Sequence, residues 1–331
     1  MWKGRPAPSG LPIRGRLPLS LFDMRRDVCI LLSTCARYER IATFTERRIA
    51  SAWNPAPPLF WCGMAHPAGM PLRSDPADWM AVTADAVEDL LNRGFRFAYL
   101  ILDDHPPLGR CQAVHLNETL PAFADEASSV SVSLSGFGQR RPSFGKIRSW
   151  HGWDFDHVPA TQLWKFPLHP ALWNLERLLA ILNVLRAWLP ADEHSPWAFE
   201  RRGGEADAPL PDSLKLGCYR IRGSQLSADP FGASRRLPFT AMQFATDLSG
   251  FAVRRLLGED ARRRHDASIR WMFCPYAGPY PLFWSGMMVR GAVNPHLQRY
   301  LRFTRQTRLL REIESHLARH SRLGLLEDRK G

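Results

Sequence analysis

Short apolar runs and amphipathic segments alternate along the first part of the chain. Val28–Leu32 and Leu59–Cys62 are continuous apolar runs of the kind that a strand buried on both faces requires. Ile41–Ala52 predicts a helix between them, and Asp75–Gly94 predicts a second helix with an acidic N-cap and an early proline. Phe95–Leu102 is the strongest predicted strand. This succession predicts an α/β fold with a mostly parallel central sheet flanked by helices.

The later pattern is less regular. The predicted elements are a helix near Cys111–Phe123, a strand near Val130–Leu134, a helix over His169–Trp188, a loop over Glu193–Gly204 and a long helix over Pro295–Leu323. We therefore divide the chain into a flexible basic leader (1–26), a main α/β domain (27–204) and a C-terminal extension (205–331) that packs on the main domain. The leader is rich in proline, glycine and arginine, a composition that buries little apolar surface.

The chain is basic, with a formal net charge of +12, and only five of its 44 basic residues are lysines. Such a surface attracts anions, and net charge alone does not choose between nucleotide phosphates, anionic lipid, acidic polysaccharide and nucleic acid. The alternative explanation for part of the arginine excess is genomic base composition. The arginines of Pro295–Leu323 suggest either a peripheral contact with the inner face of a membrane or a solvated helix that covers the sheet.

Cysteine usage and hydropathy point to the cytoplasm. The six cysteines are widely scattered, with no CxxC pair, so we expect reduced thiols rather than a disulfide framework. No run of about 18 apolar residues is present, and no signal-peptide pattern follows the basic N-terminus. We expect a cytoplasmic protein in which any membrane contact is peripheral.

Two adjacent aspartates, Asp103 and Asp104, follow the strongest strand directly. In open α/β sheets ligands bind beyond the carboxyl ends of the strands, which makes this a natural place for chemistry. Carboxylates are the hard oxygen ligands that Mn²⁺ or Mg²⁺ shares with a diphosphate. The alternative is an Asp-Asp turn that merely ends the strand.

Glu200 lies between the aromatic residues Trp197 and Phe199 and a basic, glycine-rich stretch. A carboxylate half buried against aromatic rings has a raised pKa, which suits a general base acting on a hydroxyl. The alternative is a surface glutamate beside one aromatic anchor. Trp197 is suited either to stacking on a sugar ring or to filling the core.

Other motifs are weaker. His151, Asp154, Asp156 and His157 are residue types that bind transition metals, but they lack a zinc-binding spacing, and we favour a polar loop beside the substrate cleft. Arg140, Arg141, Lys146 and Arg148 suit phosphate binding or a solvated basic loop. No P-loop, dinucleotide fingerprint or GxSxG occurs in a suitable context.

Four segments within residues 28–204 together resemble bacterial GT-A-like glycosyltransferases of the surface-polysaccharide type. They are Ser33–Tyr38 (STCARY), Tyr99–Asp104 (YLILDD), Leu168–Asn174 (LHPALWN) and Ser195–Glu200 (SPWAFE). In that family a strand-end acidic motif, commonly DxD, holds a divalent cation on the donor diphosphate. The present Asp-Asp-His departs from a strict DxD, which leaves the metal requirement open.

The resemblance implies a role for each of six residues. Asp103 or Asp104 would hold the metal on the donor diphosphate, and Glu200 would be the base that deprotonates the acceptor hydroxyl. Ser33, Arg37 and Tyr38 would lie beside the nucleotide. Trp197 joins the candidate binding residues because of its aromatic ring and not through the resemblance. The implied reaction is a single displacement that inverts the anomeric carbon. Its substrates would be a nucleotide-sugar donor and a saccharide or lipid-linked acceptor.

Two alternatives stay open at this stage. A metal-dependent nucleotidyltransferase or phosphohydrolase would combine Asp103 and Asp104 with the segment His151–His157, and it would turn over a nucleotide without a sugar acceptor. A basic nucleic-acid-binding protein would need a stripe of arginines with exposed aromatic residues. The arginines here are scattered through predicted helices, so we do not expect a nucleic-acid partner.

Overall fold

A computed structural model describes residues 25–135, 147–222, 239–269, 272, 274–289 and 291–316. An eight-stranded mixed sheet forms its centre, in the order β2-β1-β3-β7-β4-β8-β6-β5. The strands are β1 (Val28–Ser33), β2 (Leu59–Cys62), β3 (Phe97–Leu102), β4 (Ser131–Ser133), β5 (Ile147–Trp150), β6 (Trp153–His157), β7 (Ala171–Asn174) and β8 (Cys218–Ile221). Residues 1–24 of the predicted leader, and Arg140, Arg141 and Lys146, lie outside the described residues.

Strand direction follows from the pairings. β1 is parallel to β2 and β3, and β4 is parallel to β8, whereas β7 and β6 are antiparallel to their neighbours. Six of the eight strands therefore run in one direction. The predicted α/β fold with a mostly parallel central sheet is confirmed.

Helices cover both faces of the sheet. They are α1 (Glu39–Ala52), α2 (Trp79–Asn92), α3 (Leu120–Glu126), α4 (Leu175–Trp188), α5 (Pro196–Arg202), α6 (Asp212–Lys215), α7 (Phe239–Leu257), α8 (Glu259–Ile269) and α9 (Pro295–Phe303). Short 3₁₀ turns occur at Ala36–Tyr38 and Ala191–Glu193, and a π-helical turn at His115–Thr119 leads into α3. α2, α4 and α5 pack on one face, while α1 and α3 pack on the other.

The central strands alternate between two cores. Val28, Ile30 and Leu32 of β1 face the core that contains α1, and Cys29 and Leu31 face the core that contains α2 and α4. All five side chains are fully buried. This burial on both faces explains why β1 and β3 are continuous apolar runs in the sequence rather than alternating ones.

The predicted helix over His169–Trp188 is wrong in its first part. Ala171–Asn174 is the strand β7, which lies antiparallel between β3 and β4. The helix begins only at Leu175, where the Asn174 side chain caps it by accepting a hydrogen bond from the Arg177 N–H. A short apolar run buried between two strands cannot be distinguished from the first turn of a buried helix by periodicity alone.

The predicted loop over Glu193–Gly204 is also wrong, because it contains helix α5. Ser195 caps this helix by accepting from the Ala198 N–H at 3.2 Å, and Pro196 occupies its first position. A serine N-cap followed by proline is typical of the start of a helix, and here it predicts the helix even though the helix is only seven residues long.

The polar loop expected around His151–His157 is a β-hairpin formed by β5 and β6. His151 and Gly152 form its turn with φ angles of 46° and 86°. Asp156 is buried and pairs in register with Arg220 of β8. The metal-type residues are therefore distributed along an edge hairpin of the sheet instead of converging on one point.

The long helix predicted over Pro295–Leu323 is interrupted. α9 ends at Phe303, Arg305 adopts a positive φ of 58°, and residues 307–316 are again helical, while residues 317–323 lie outside the described part. Leu297, Tyr300 and Leu301 bury the apolar face of α9. This face packs inside the protein, so it is not available to insert into lipid.

Residues beyond 204 contribute to the sheet and also pack against its edge. β8 lies between β4 and β6, so the sheet extends past the predicted domain boundary. A third apolar cluster joins Ile41, Phe44 and Leu108 to Phe283 and Met287 from the C-terminal region. Two small hairpins, β9 (Pro275–Tyr276) with β10 (Leu282–Phe283) and β11 (Met288–Val289) with β12 (Ala292–Val293), precede α9. Within the described residues, no helix is both long and apolar enough to cross a bilayer.

Asp78 links the start of α2 to His194, just before α5, so replacing it tests how these two helices are held together. Its carboxylate accepts from the Ala81 N–H at 2.8 Å and lies 2.7 Å from Nδ1 of the buried His194. We expect Asp78→Ala to lower the free energy of unfolding by roughly 1–3 kcal/mol, measured by urea denaturation. Asp75→Ala removes an exposed aspartate three residues earlier, whose carboxylate accepts from the Ala77 N–H at 2.9 Å, and it should lower the free energy of unfolding by less than Asp78→Ala does. Equal losses would contradict the role given to Asp78.

Candidate active site

The candidate site lies at the carboxyl end of β1 and β3. These strands are parallel neighbours with Ser33 opposite Leu102, so the segments that follow them leave the sheet side by side. The Asp103 N–H donates to the Ser33 carbonyl oxygen at 3.0 Å, which extends the ladder by one bond beyond the strands. The Ser33–Tyr38 and Asp103–Asp104 segments are therefore brought together, as the resemblance implies.

Asp103 is held mainly by threonine hydroxyls. Thr34 Oγ1 donates to Asp103 Oδ2 at 2.7 Å, and Thr45 Oγ1 on α1 donates to the Asp103 carbonyl oxygen. Burial and the negative charge of Asp104 raise the pKa of Asp103 to about 7, although the Thr34 hydroxyl acts in the opposite direction. Asp103 is thus an unusually basic carboxylate beside a second one.

Asp104 is a different carboxylate because it faces an imidazole. Its Oδ1 lies 2.8 Å from His105 Nδ1, and the aspartate side chain is 25% exposed. Burial alone would raise the pKa of Asp104, but the charge of His105 holds it below its ordinary value. Burial likewise acts to lower the pKa of His105, and Asp104 raises it above its ordinary value. Each of the two groups thus stabilises the charged form of the other.

His169 stands beside this pair because β7 runs antiparallel to β3. The register places Ala171 opposite Leu100, so the residues just before β7 lie at the carboxyl end of β3. The His169 and His105 rings are 5.5 Å apart between centroids. Burial and the charge of His105 lower the pKa of His169 to about 3, which keeps its ring neutral.

Glu200 reaches the same neighbourhood from α5. It is buried, and its Oε1 accepts a hydrogen bond from the Leu168 N–H at 3.0 Å, one residue before His169. Burial raises the pKa of Glu200, while the Leu168 N–H and the positive charge of His105 act to lower it. Glu200 is more deeply buried than the half-buried carboxylate that the sequence predicts, and the alternative of a surface glutamate is wrong.

The residues expected beside the nucleotide are placed differently from one another. Ser33 is buried, and its hydroxyl accepts a hydrogen bond from Trp79 Nε1 at 2.8 Å. This bond ties the end of β1, where the loop begins, to helix α2. Arg37 is exposed at the surface of the loop, and Tyr38 is partly buried against the third apolar cluster. Cys35 lies close enough to Asp103 that, after burial, the aspartate's charge raises the pKa of its thiol.

Trp197 is 71% exposed on α5, so it does not fill the core. It precedes Glu200 by three positions on the same helix, and residues at this spacing lie on one face. The alternative that Trp197 fills the core is therefore wrong, whereas its stacking on a sugar ring stays a prediction.

Sequence reasoning missed several residues at this site. Thr34 and His169 lie inside the segments that carried the resemblance, so a hydroxyl next to a strand-end loop and a histidine next to a buried strand were available signals. Trp284 and Gly286 come from the C-terminal region, about 180 positions after the aspartates, and no local pattern relates them to β3.

The carboxylate pair suits a divalent cation that takes most of its ligands from a substrate. Across the described ranges, no three His, Cys, Asp or Glu side chains form a group that could hold a metal ion by themselves. Two adjacent carboxylates that raise the pKa of one of them would be relieved by a cation between them. Mg²⁺ is commonly bound by one or two carboxylates together with phosphates and water, so the residues fit such an ion.

The His151–His157 hairpin is remote from the aspartates. Three strands, β7, β4 and β8, separate β3 from β6 in the sheet, which corresponds to about 19 Å at the usual spacing between strands. The structure therefore does not bring this hairpin and the carboxylate pair into one site.

The similarities of this chain to known proteins are distant. No protein-family model matches the chain, and no curated protein is significantly similar to it. The crystal structure of mannose-1-phosphate geranyltransferase from Thermus thermophilus is similar over 60% of this chain and 74% of its own, with 12% identity and a TM-score of 0.30. The crystal structure of S. aureus TarS 1-349 is similar over 75% of this chain and 69% of its own, with 10% identity and a TM-score of 0.31. Scores this low carry no argument about function.

The burial of Glu200 predicts that the free energy of unfolding depends on pH. Because its pKa is raised in the folded protein, the native state keeps the proton to a higher pH than the unfolded chain does. Relative to Glu200→Gln, whose amide oxygen can still accept from Leu168, the wild-type protein should lose stability as pH rises from about 4 through the raised pKa. Urea unfolding of both proteins between pH 4 and 8 measures the difference. The exposed Glu176→Gln serves as the control, and a parallel trend in it would refute the assignment.

Proposed function

We propose that this chain is a glycosyltransferase that moves a sugar from a nucleotide-sugar donor to the hydroxyl of a saccharide or lipid-linked acceptor. The observation that carries the proposal is the meeting of two different acidic centres at the carboxyl edge of the sheet. The pair Asp103 and Asp104 follows β3, and Glu200, bound to Leu168, lies within electrostatic reach of His105. A pair of carboxylates at the strand end beside a separate, buried carboxylate suits group transfer from a diphosphate to a hydroxyl.

The donor side is formed by the segments after β1 and β3. Asp103 and Asp104 would hold Mn²⁺ or Mg²⁺, which would supply positive charge against the donor diphosphate. The exposed Arg37 on the neighbouring loop is available to a phosphate or ribose at the same edge. Ser33 and Tyr38 support this loop through Trp79 and the third apolar cluster.

The acceptor side is formed by α5 and the segment before β7. Glu200 takes the proton from the acceptor hydroxyl as that oxygen forms its bond to the anomeric carbon. The bond between the anomeric carbon and the diphosphate oxygen breaks, and the nucleoside diphosphate leaves with the electron pair. A single displacement of this kind inverts the anomeric centre. The hydrogen bond from the Leu168 N–H fixes the orientation of the base, and Trp197 offers a stacking surface for the acceptor sugar.

The nucleotidyltransferase or phosphohydrolase alternative depended on combining the aspartates with the His151–His157 segment. The width of sheet between them removes that geometric basis. A location at the inner face of the membrane stays part of the proposal through the lipid-linked acceptor, but the buried apolar face of α9 does not support it.

Donor binding is the first test. We expect one class among UDP-, GDP-, CMP- and dTDP-sugars to raise the unfolding temperature of the purified protein in the presence of Mn²⁺, because a ligand at 100 times its Kd contributes about 2.7 kcal/mol. The shift should disappear in Asp103→Ala/Asp104→Ala. Asp154→Ala on the remote hairpin is the control and should keep it. A protein that hydrolyses the nucleotide without an acceptor, and depends on Asp154, would favour the alternative.

The role of Glu200 has its own test. Glu200→Gln should lower kcat by roughly 10²–10⁴-fold, the usual contribution of a general base, while the donor-induced thermal shift is retained. In the wild-type protein kcat should rise with pH until Glu200 is deprotonated, and this limb should be absent in the variant. Glu205→Gln removes a nearby carboxylate paired with Arg202 and should leave kcat within a few-fold. Full turnover in Glu200→Gln would assign the base elsewhere.

A further inference from the structure

The C-terminal region returns to the carboxyl end of β3 and binds the loop that carries the aspartates. The Leu108 and Gln112 N–H groups donate to the carbonyl oxygens of Pro281 and Pro279, each at 2.8 Å. The Met287 N–H donates to the carbonyl oxygen of Asp104 itself at 2.7 Å. Residues 274–289, which we call the C-terminal wall, are thus in direct contact with the candidate site.

The wall also holds the histidine that pairs with Asp104. His105 Nε2 lies 3.1 Å from the Trp284 carbonyl oxygen, and the Tyr280 hydroxyl donates to the His105 carbonyl oxygen at 2.9 Å. Trp284 is itself fixed, because its N–H donates to the Cys274 carbonyl oxygen at 2.8 Å. The ring of His105 is therefore fixed between the wall and Asp104, with one nitrogen toward each.

Gly286 closes the other side of the same carboxylate. A Cβ placed on Gly286 would lie 2.2 Å from Asp104 Oδ2, far inside van der Waals contact. Gly286 has a φ of +74°, a conformation that residues with a side chain rarely adopt, so the backbone already favours glycine here. The Asp104 carboxylate adds a second reason, because it occupies the volume that any side chain would need.

We propose that Gly286 is a positioning residue for Asp104. Its missing side chain provides the space in which Oδ2 sits, while His105, oriented by Trp284, holds Oδ1. The C-terminal wall is accordingly one side of the active site. This inference rests on the proposed function for its catalytic meaning, but the steric relation between Gly286 and Asp104 is testable without any ligand.

Both carboxylate oxygens of Asp104 are therefore held in place before a donor binds, Oδ1 by His105 and Oδ2 by the space at Gly286. A methyl group at position 286 would turn the carboxylate away from its place and separate it from His105. We expect Gly286→Ala to lower kcat by at least about tenfold, since small displacements of a positioned group are costly. Its effect would be exerted through Asp104, which distinguishes it from a general loss of folding.

Gly291 supplies a matched control. Its φ is +77°, close to that of Gly286, and a Cβ added there would meet nothing within 4 Å. Gly291→Ala therefore introduces the same backbone strain without the clash. We expect Gly286→Ala to lower the unfolding temperature by roughly 2–6 °C more than Gly291→Ala does.

A double-mutant cycle with Asp104→Ala tests whether the effect of Gly286→Ala is exerted through Asp104. In the Asp104→Ala protein the added methyl has space, so the excess loss of unfolding temperature in Gly286→Ala should vanish, whereas Gly291→Ala should remain additive. The ring resonances of His105 at neutral pH give a second readout, and they should shift in Gly286→Ala and not in Gly291→Ala. Additive behaviour of Gly286→Ala with unchanged His105 resonances would overturn the proposal.

Donor and turnover measurements on the same variants separate the two proposals. A non-additive cycle in a protein that binds none of the nucleotide sugars would sustain the steric role of Gly286 and reject the glycosyltransferase function. Sugar transfer that is equal in Gly286→Ala and Gly291→Ala would reject the positioning role while the transferase function stands.

Discussion

Two neighbouring carboxylates at the end of one buried strand are the constraint on which this structure depends. Like charges so close together in a poorly solvated place are costly, and the protein distributes the cost unequally. Asp104 is kept ionised by His105, whereas Asp103 receives only hydroxyl and backbone hydrogen bonds and becomes the more basic of the two. This difference between the pKa values of the two aspartates largely explains the polar contacts around them.

The same constraint explains why parts of the chain far apart in sequence meet here. The loop after β1 supplies the Thr34 hydroxyl, α1 supplies Thr45, and the C-terminal wall supplies the carbonyl oxygen that orients His105. β7 carries His169 to the same edge. Each contribution compensates a charge or satisfies a polar group at the strand end, so the site is a property of the whole fold rather than of the aspartate segment.

Local patterns predicted the first half of this arrangement well. β1, β2 and β3 were readable because they are apolar runs buried on both faces, and the aspartates were visible as an abrupt polar end to the strongest run. β7 was read as helix because its four residues join directly onto the apolar face of α4. The roles of Gly286 and Trp284 could not be predicted, because they depend on a contact across about 180 residues that leaves no periodicity in either segment.

The register of the antiparallel strand β7 sets the distance between the segment that holds Glu200 and the aspartates that follow β3. Its pairing of Ala171 with Leu100 sets how far His169 and the Leu168 N–H lie from the end of β3. One residue inserted within β7 would shift this distance by about 3.3 Å and exchange the sides faced by Leu172 and Trp173. Length changes in the stretch before Leu168 would leave this distance unchanged. The spacing between Glu200 and the carboxylate pair therefore depends on the length of β7 and not on the length of the segment that precedes Leu168.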